Sequence, residues 1–424
     1  MSTEAARIDA FDLVNSLSRI ADLMNASVSE HQSRVALMAY ALAQELKCSE
    51  EETTEIGLAG LIHDIGAFSL QERLDLMSFE LQEPGFHARV GYLLLHTFSP
   101  FARIAAMVRY HHTPWNHGQG ACSDGEPVPM AAHILNLADR VEVAIDRNRY
   151  ILGQVPALCE RIQAGTDEAF HPDVVAAFLR LAKREYFWLE IVSHNLGAVL
   201  RKHLRRHTVS LTMEELAEFA QMMCHLVDFK SSFTATHSSG VAAVAQALAA
   251  RAGFDDREQG LMRTAAYLHD VGKLGIPSEI IEKRGPLSAD EQDIMRSHAF
   301  YSFEILDSVE GLEQIADWGA MHQERLDGSG YPFHKTAKEL SPGARLMAVA
   351  DIFTALTEDR PYRVGMSKED AIKSLTRLSA HSQLDPEYVA MLIRDFDDIN
   401  TARVHAQGAA ASHYESFLRA ATSA

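Results

Sequence analysis

The sequence predicts an all-α fold made of two tandem helical domains joined by a helical connector. Apolar residues recur with helical periodicity over long stretches of the 424 residues, whereas the period-2 alternation typical of half-buried strands is scarce. The chain also repeats itself, because histidines and aspartates occur in the same order in its two halves. A chain of this length exceeds one ordinary core, since about 150 residues per domain is typical.

The first repeated element is an amphipathic helix with a histidine at the start of its buried stripe. Apolar residues follow His31 at offsets of 4, 7 and 11, and they follow His237 at the same offsets. From the repeat we expect an N-terminal domain at residues 1–195, a connector at 196–224 and a C-terminal domain at 225–424.

Equal spacings relate the remaining chemistry-bearing residues of the two halves. A His-Asp pair begins 32 residues after the first histidine of each half, and the next two histidines of the repeat lie 24 residues apart in both halves. An Ala-Asp on an apolar helical stretch completes each set. The residues are His31, His63, Asp64, His87, His111, His112 and Asp139 in the first half, and His237, His269, Asp270, His298, His322 and Asp351 in the second.

These residue types predict a metal site in each half. Imidazole nitrogens and carboxylate oxygens bind borderline and hard divalent ions, whereas core packing alone favours aliphatic side chains. Such ions offset the charge of a phosphodiester and generate hydroxide near neutral pH. The sequence therefore favours metal-dependent phosphate chemistry.

Composition excludes several other classes of function. The formal net charge of -19 argues against binding to long nucleic acids, whose phosphates require many Lys and Arg. No apolar run approaches the roughly 20 residues that span a bilayer, and the N-terminus lacks a signal-peptide layout, so we expect a cytoplasmic protein without a membrane partner. The four cysteines form no C-x-x-C pair, which argues against a disulfide framework or a thiolate zinc site.

The ordered set resembles the HD superfamily of phosphohydrolases, and the second half resembles the HD-GYP phosphodiesterases that hydrolyse cyclic dinucleotides. The second half carries HDVGK from His269 to Lys273, DGSGYP from Asp327 to Pro332, and RPYR from Arg360 to Arg363. The first half resembles the broader superfamily only. The resemblance implies two helical HD-type domains, of which the second is an HD-GYP domain.

The resemblance also implies roles for individual residues. It implies two divalent ions in each active site, such as iron, manganese or another transition metal. Asp270 would bridge them, with one ion held by His237, His269 and Asp351 and the other by His298 and His322. Asp270 and Lys273 would be catalytic. The substrate would contact Lys273, Arg360, Arg363, Gly330 and Tyr331.

The chain departs from the family pattern at several positions. The family has two consecutive histidines where the second half has His322-Gln323, and family members with three metals carry a glutamate at the position of Phe233. The first half has Ala67 where the lysine would be. It also has the segment from His111 to Gly118 where the GYP loop would be.

The leading functional hypothesis is hydrolysis of cyclic di-GMP to the linear dinucleotide and further to GMP. A cyclic GMP-AMP phosphodiesterase is the alternative within the same class. A third hypothesis, from another class, is a weakly active signalling scaffold that binds diguanylate cyclase partners. The first module would be a second phosphohydrolase, a nucleotide sensor or a structural partner of the second.

Overall fold

The computed structural model describes residues 8–23, 30–67, 85–204, 210–230, 236–283, 285–359 and 363–422. The chain divides into two compact units. The N-terminal unit comprises Asp9–Ser210, and the C-terminal unit comprises Leu211–Ala424 together with the segment that ends at Ile8. The sequence-based division at 195 and 225 stays a prediction, and its connector includes one whole helix and the start of the next.

Helices make up most of the N-terminal unit. They are α1 (Ala10–Leu23), α2 (His31–Glu45), α3 (Glu50–Ile62), α4 (Gly85–Leu95), α5 (Ala102–Tyr110), α6 (Met130–Val143), α7 (Val155–Ala164), α8 (Pro172–Leu181), α9 (Glu185–Ile191) and α10 (Leu196–Leu204). Short 3-10 segments lie at Ser99–Phe101, Asn116–Ala121 and Ile151–Gly153. α2 packs against α3 and α6, and α4 packs against α5.

The C-terminal unit has the same kind of architecture. Its helices are α11 (Met213–Phe229), α12 (His237–Arg251), α13 (Asp256–Leu268), α14 (Ser278–Ile281), α15 (Ala289–Asp307), α16 (Glu313–Ala320), α17 (Pro342–Thr357), α18 (Lys368–Ala380), α19 (Pro386–Arg394) and α20 (Phe396–Thr422). A 3-10 segment, Val271–Gly275, follows α13. α12 lies at the centre, because it packs against α13, α17 and α20.

Strands are few and short among the described residues. They are β1 (Ile8–Asp9), β2 (Cys122–Ser123), β3 (Glu126–Pro127) and β4 (Ser210–Leu211). β2 and β3 pair antiparallel, with Cys122 opposite Pro127. The all-α prediction is confirmed. No helix within the described ranges is both long enough and apolar enough to cross a bilayer.

Local sequence explains where several helices begin. Asp255 caps α13 by accepting a hydrogen bond from the backbone N–H of Glu258 at 2.8 Å, and the Glu258 carboxylate accepts one from the backbone N–H of Asp255. His171 and Asp385 cap α8 and α19 just before a proline at the first helical turn. These two caps lie at corresponding positions of the repeat, so the two halves share helix boundaries as well as candidate ligands.

Candidate metal centres

The first histidine of each half begins a helix and faces the aspartate that completes its set. α2 begins at His31 and α12 at His237, and both imidazoles are buried. The Nε2 atom of His31 lies 3.5 Å from Oδ1 of Asp139, and that of His237 lies 3.2 Å from Oδ1 of Asp351. Each unit therefore brings together two predicted ligands that lie more than one hundred residues apart in sequence.

A glycine after each His-Asp pair permits very close packing. A Cβ atom at Gly66 would lie 2.1 Å from the backbone oxygen of His87, and a Cβ at Gly272 would lie 2.1 Å from that of His298. No side chain fits at such distances, since the atoms they meet belong to the backbone. The glycine thus holds the His-Asp turn directly against the helix that carries the next histidine.

Asp270 lies at the middle of the C-terminal centre. Its Oδ2 atom is 3.2 Å from Nε2 of His269. Its Oδ1 atom is 3.4 Å from Nε2 of His298 and 3.7 Å from Nε2 of His322. The two carboxylate oxygens therefore face two different sets of imidazoles, which is the arrangement a carboxylate needs to bridge two cations.

The N-terminal centre repeats this arrangement around Asp64. The Oδ2 atom of Asp64 lies 3.2 Å from Nε2 of His63, and Oδ1 lies 3.3 Å from Nε2 of His87 and 3.8 Å from Nε2 of His111. The additional histidine, His112, places its Nε2 atom 3.0 Å from Nε2 of His87. The group of imidazoles on the Oδ1 side of Asp64 therefore has one more member than the group on the Oδ1 side of Asp270.

Four groups of side chains have ligand atoms within 4.8 Å of one another. They are His31, His63 and Asp64; Asp64, His87, His111 and His112; His237, His269 and Asp270; and Asp270, His298 and His322. Two aspartates, Asp64 and Asp270, occur twice in this set, and Asp270 is the one for which the family resemblance implies a bridging role.

Hydrogen bonds on the far side of the imidazole rings direct the Nε2 atoms into these centres. Nδ1 of His269 donates to the backbone oxygen of Ala266 at 2.7 Å, and Nδ1 of His322 donates to that of Gly319 at 2.8 Å. The buried Nε2 atoms of His63 and His269 have no hydrogen-bond partner within the described part of the chain. Buried polar atoms are normally satisfied. These side chains therefore fit divalent cations.

Electrostatics set the protonation of the C-terminal centre. Burial alone would lower the pKa of His237, but the carboxylates of Glu358 and Asp351 outweigh burial and raise it to about 10. Burial, together with His269, lowers the pKa of His322 to about 3. A cation bound by His237 would therefore have to displace a proton, whereas His322 is already neutral.

Lys273 distinguishes the C-terminal centre from the N-terminal one. Its Nζ atom lies 2.5 Å from Oδ2 of Asp270, and it keeps the pKa of that buried carboxyl well below its usual range although burial acts in the opposite direction. At the corresponding position of the repeat, Ala67 is buried and apolar. Only the C-terminal centre has a cation at this position.

A buried glutamate, Glu324, holds the DGSGYP loop beside the C-terminal centre. Its carboxylate accepts hydrogen bonds from the backbone N–H groups of Phe333 at 2.7 Å and Lys335 at 3.0 Å. Gly330 lies so close to the preceding turn that a Cβ atom would be 2.4 Å from Cα of Glu324. Tyr331 lies with its ring centroid 6.4 Å from that of His298. The structure therefore places Gly330 and Tyr331 next to the candidate metal ligands.

The two predicted substrate-binding arginines have different outcomes. Arg363 donates a hydrogen bond to the backbone oxygen of Ala355, which anchors its side chain on α17. Arg360 lies outside the described residues. The roles assigned to both arginines stay predictions.

The N-terminal unit has a different loop where the DGSGYP loop would be. Backbone N–H groups of Trp115, Asn116 and His117 donate to the carbonyls of residues 167–169. The Trp115 ring packs on His171 with a centroid distance of 4.1 Å. This loop therefore lies against the segment that precedes α8.

Replacement of Gln323 by histidine is expected to tighten binding of the second ion in the C-terminal centre. Gln323 occupies the position of His112 in the repeat, and an imidazole is a better donor than an amide for iron, manganese or zinc. The measurement is metal content after mild dialysis, for the wild type and for Gln323→His. Equal retention would show that residue 323 does not contact the ion.

Three buried carboxylates beside the candidate centres were not predicted from the sequence. Oε2 of Glu142 lies 2.5 Å from Nδ1 of His31, and Oε2 of Glu358 lies 3.0 Å from Nδ1 of His237. The third is Glu324. A carboxylate hydrogen-bonded to the outer nitrogen of a ligand histidine orients the ring and raises its basicity. For Glu142 and Glu358 the available signal was an acidic residue at the end of the helix that carries the last candidate aspartate.

Comparison with protein families identifies both units. An HD domain family model matches residues 28–144, and a second HD domain model matches residues 221–388. Each match contains every candidate ligand of its half.

Individual relatives are cyclic dinucleotide phosphodiesterases by name. The chain is 31% identical over 392 residues to 3'3'-cGAMP-specific phosphodiesterase 1 of Vibrio cholerae. This alignment covers 89% of this chain and 90% of the relative. It is 35% identical over 175 residues to a cyclic di-GMP phosphodiesterase of Pseudomonas aeruginosa. This alignment covers 40% of this chain and 41% of the relative. The crystal structure of a cyclic GMP-AMP specific phosphodiesterase of V. cholerae has a TM-score of 0.64 at 21% identity. It covers 92% of this chain and 98% of that one, which supports the fold.

Proposed function

Because the chain belongs to the HD-domain cyclic dinucleotide phosphodiesterases, we propose that its C-terminal unit hydrolyses a cyclic dinucleotide to the linear form. The observation that carries this proposal is the position of Asp270 between two sets of imidazoles, with Lys273 on the same carboxylate. The enzyme is a metal-dependent phosphohydrolase. We propose two ions in this centre, with iron or manganese as the first candidates.

Two substrates are candidates. Cyclic di-GMP is the substrate expected from the sequence, and continuation to GMP would be a second hydrolysis at the same centre. 3'3'-cGAMP is supported by the relative that matches along nearly the whole chain and that is specific for it by name. Both have two phosphodiesters, so the same metal centre and Lys273 serve either one.

The residues of the C-terminal unit divide the chemistry among them. Divalent ions, when bound, would offset phosphate charge and activate water. Asp270, His237, His269, Asp351, His298 and His322 would hold them. Lys273 would donate to a phosphate oxygen as negative charge develops, because its ammonium is largely buried beside the carboxylate it pairs with. Tyr331 and the rest of the DGSGYP loop, which Glu324 holds in place, would close one side of the substrate site.

Replacement of Lys273 by alanine is expected to lower kcat on the order of a hundredfold, because a positioned cation stabilises developing charge more than ground-state charge. Metal content should change little, since Lys273 donates no lone pair to an ion. Steady-state kinetics and metal analysis of the same preparation provide the measurement. The control is Lys338→Ala, which changes an exposed lysine after the DGSGYP loop. An unchanged kcat in Lys273→Ala would remove Lys273 from the catalytic residues.

A weakly active scaffold that binds a diguanylate cyclase is a second candidate. Gln323 is the residue that favours it, since it weakens the ligand set of the second ion. Lys273 and the complete His269-Asp270 pair oppose it. A turnover assay with iron, manganese or nickel supplied separates the two, because a scaffold would bind partners without consuming the dinucleotide. A phosphodiesterase of this kind would act on a cytoplasmic second messenger, and a scaffold would bind the enzymes that make it, so we propose that compartment.

A further inference from the structure

The two metal centres hold the carboxylate behind the first histidine in different ways. In the N-terminal unit, Glu142 accepts hydrogen bonds from Arg34 at 3.4 Å and from Arg147 at 2.9 Å. Arg34 lies three residues after His31, one turn along the same helix. The helix that carries the ligand therefore also supplies a donor to the carboxylate that orients the ligand.

The C-terminal unit has a glycine at the position of Arg34. This residue, Gly240, lies three residues after His237 on α12. An added Cβ atom would lie 2.8 Å from Nε2 of Gln407 and 2.9 Å from its Cδ. The space that a side chain would need at position 240 is thus occupied by the amide of Gln407, which extends from α20 across α12.

The amide of Gln407 reaches the orienting carboxylate. Its Nε2 atom donates to Oε2 of Glu358 at 3.1 Å, and the same carboxylate accepts from Nδ1 of His237 at 3.0 Å. Arg403, one turn earlier on α20, donates to Oε1 of Gln407. Because Oε1 accepts from Arg403, the amide group is oriented with its N–H groups toward Glu358.

We infer that Gln407 is a positioning residue for the metal ligand His237, and that it takes the place of Arg34 through the gap left by Gly240. This inference rests on the proposed function of the C-terminal centre. The amide of Gln407 fixes the position of the Glu358 carboxylate, and that carboxylate orients the His237 ring so that its Nε2 faces the cation.

Two independent substitutions test this role. Gln407→Leu keeps the volume and removes the donor, and Gly240→Ala places a methyl group where the amide lies. Each is expected to weaken Mn²⁺ binding at the C-terminal centre on the order of tenfold, the low end of the range for partners behind metal ligands. The double variant should lose no more than either single one, because both act through one hydrogen bond.

Metal-dependent stabilisation separates a positioning role from a structural one. All proteins in this test carry His63→Ala and Asp64→Ala, which removes the His-Asp pair of the N-terminal centre. Each protein is titrated with MnCl₂ while its thermal unfolding is followed. The variants should unfold like the parent after chelation, and show a smaller rise in Tm with Mn²⁺. His405→Ala, an exposed change on the same helix, is the control and should match the parent.

The outcomes distinguish this inference from the proposed function. Parental Mn²⁺ affinity in both Gln407→Leu and Gly240→Ala would overturn the role of Gln407, and so would additive losses in the double variant. A parent that takes up no Mn²⁺ at this centre would overturn this inference, whereas the proposed function is tested separately, by turnover of cyclic dinucleotides with iron, manganese or nickel supplied. Tenfold weaker binding in both single variants and in the double variant would support both.

Discussion

Replacement of Asp270 by alanine is expected to abolish dinucleotide hydrolysis, with a loss of roughly a thousandfold or more, about 4 kcal/mol in the barrier. The reason is geometric, since both carboxylate oxygens face imidazoles, Oδ2 toward His269 and Oδ1 toward His298 and His322. No adjacent group can replace a bridging anion. Loss of the carboxylate would also leave the Lys273 ammonium without its partner.

The measurement is turnover of a mass-resolved dinucleotide together with metal content of the purified variant. Asp64→Ala is the matched control, because Asp64 has the same position in the N-terminal centre. Retention of most of the activity in a folded, metal-loaded Asp270→Ala protein would contradict the proposed mechanism.

The second large effect concerns the division of labour between the two units. The double change of His269 and Asp270 to alanine should eliminate turnover. The same double change of His63 and Asp64 should leave turnover within about tenfold of the wild type, at most ~1.4 kcal/mol in the barrier. The N-terminal unit has the ligands but has Ala67 in place of the lysine and a different loop at Trp115.

Specificity for a bulky ligand with two phosphates should come from groups outside the metal ligands. Lys273, the DGSGYP loop and the two arginines of the RPYR motif are such groups, and they occur in the second half only. We therefore propose that the N-terminal centre contributes metal-dependent stability or regulation. An inactive His63/Asp64 variant beside an active His269/Asp270 variant would show that the units are assigned the wrong way round.

Equal spacing was sufficient to predict which residues would meet in each centre. Buried histidines and aspartates within apolar helical stretches are rare, so their recurrence at 32 and 24 residues indicated chemistry rather than packing. The all-α fold followed from the same periodicity. In the structure, His31 and His237 begin their helices, and Asp64 and Asp270 lie between two sets of imidazoles.

The groups behind the ligands could not be predicted in this way. Glu142 lies three residues after Asp139, whereas Glu358 lies seven residues after Asp351, so the repeat gave no common spacing. Gln407 reaches Glu358 from 49 residues away in sequence. Such contacts depend on how helices pack in three dimensions, and the helical period within each segment carries no information about them.

The boundary between the units also could not be predicted from the local sequence pattern. Ile8 belongs with the C-terminal unit, although the chain continues from it directly into the N-terminal one. Composition and periodicity describe neighbours in sequence, and this grouping joins residues more than two hundred positions apart. The division at 195 and 225 therefore rests on the repeat alone.

The most direct test of the central claim is turnover of cyclic di-GMP and 3'3'-cGAMP by the purified full-length chain, with products identified by mass. Iron, manganese or nickel is supplied in turn, and each reaction is repeated after chelation. We predict that at least one of the two cyclic dinucleotides is converted to its linear form, that chelation stops the reaction, and that adding the metal back restores it. Failure to open either dinucleotide with any of these metals, in a protein that retains them, would contradict the claim.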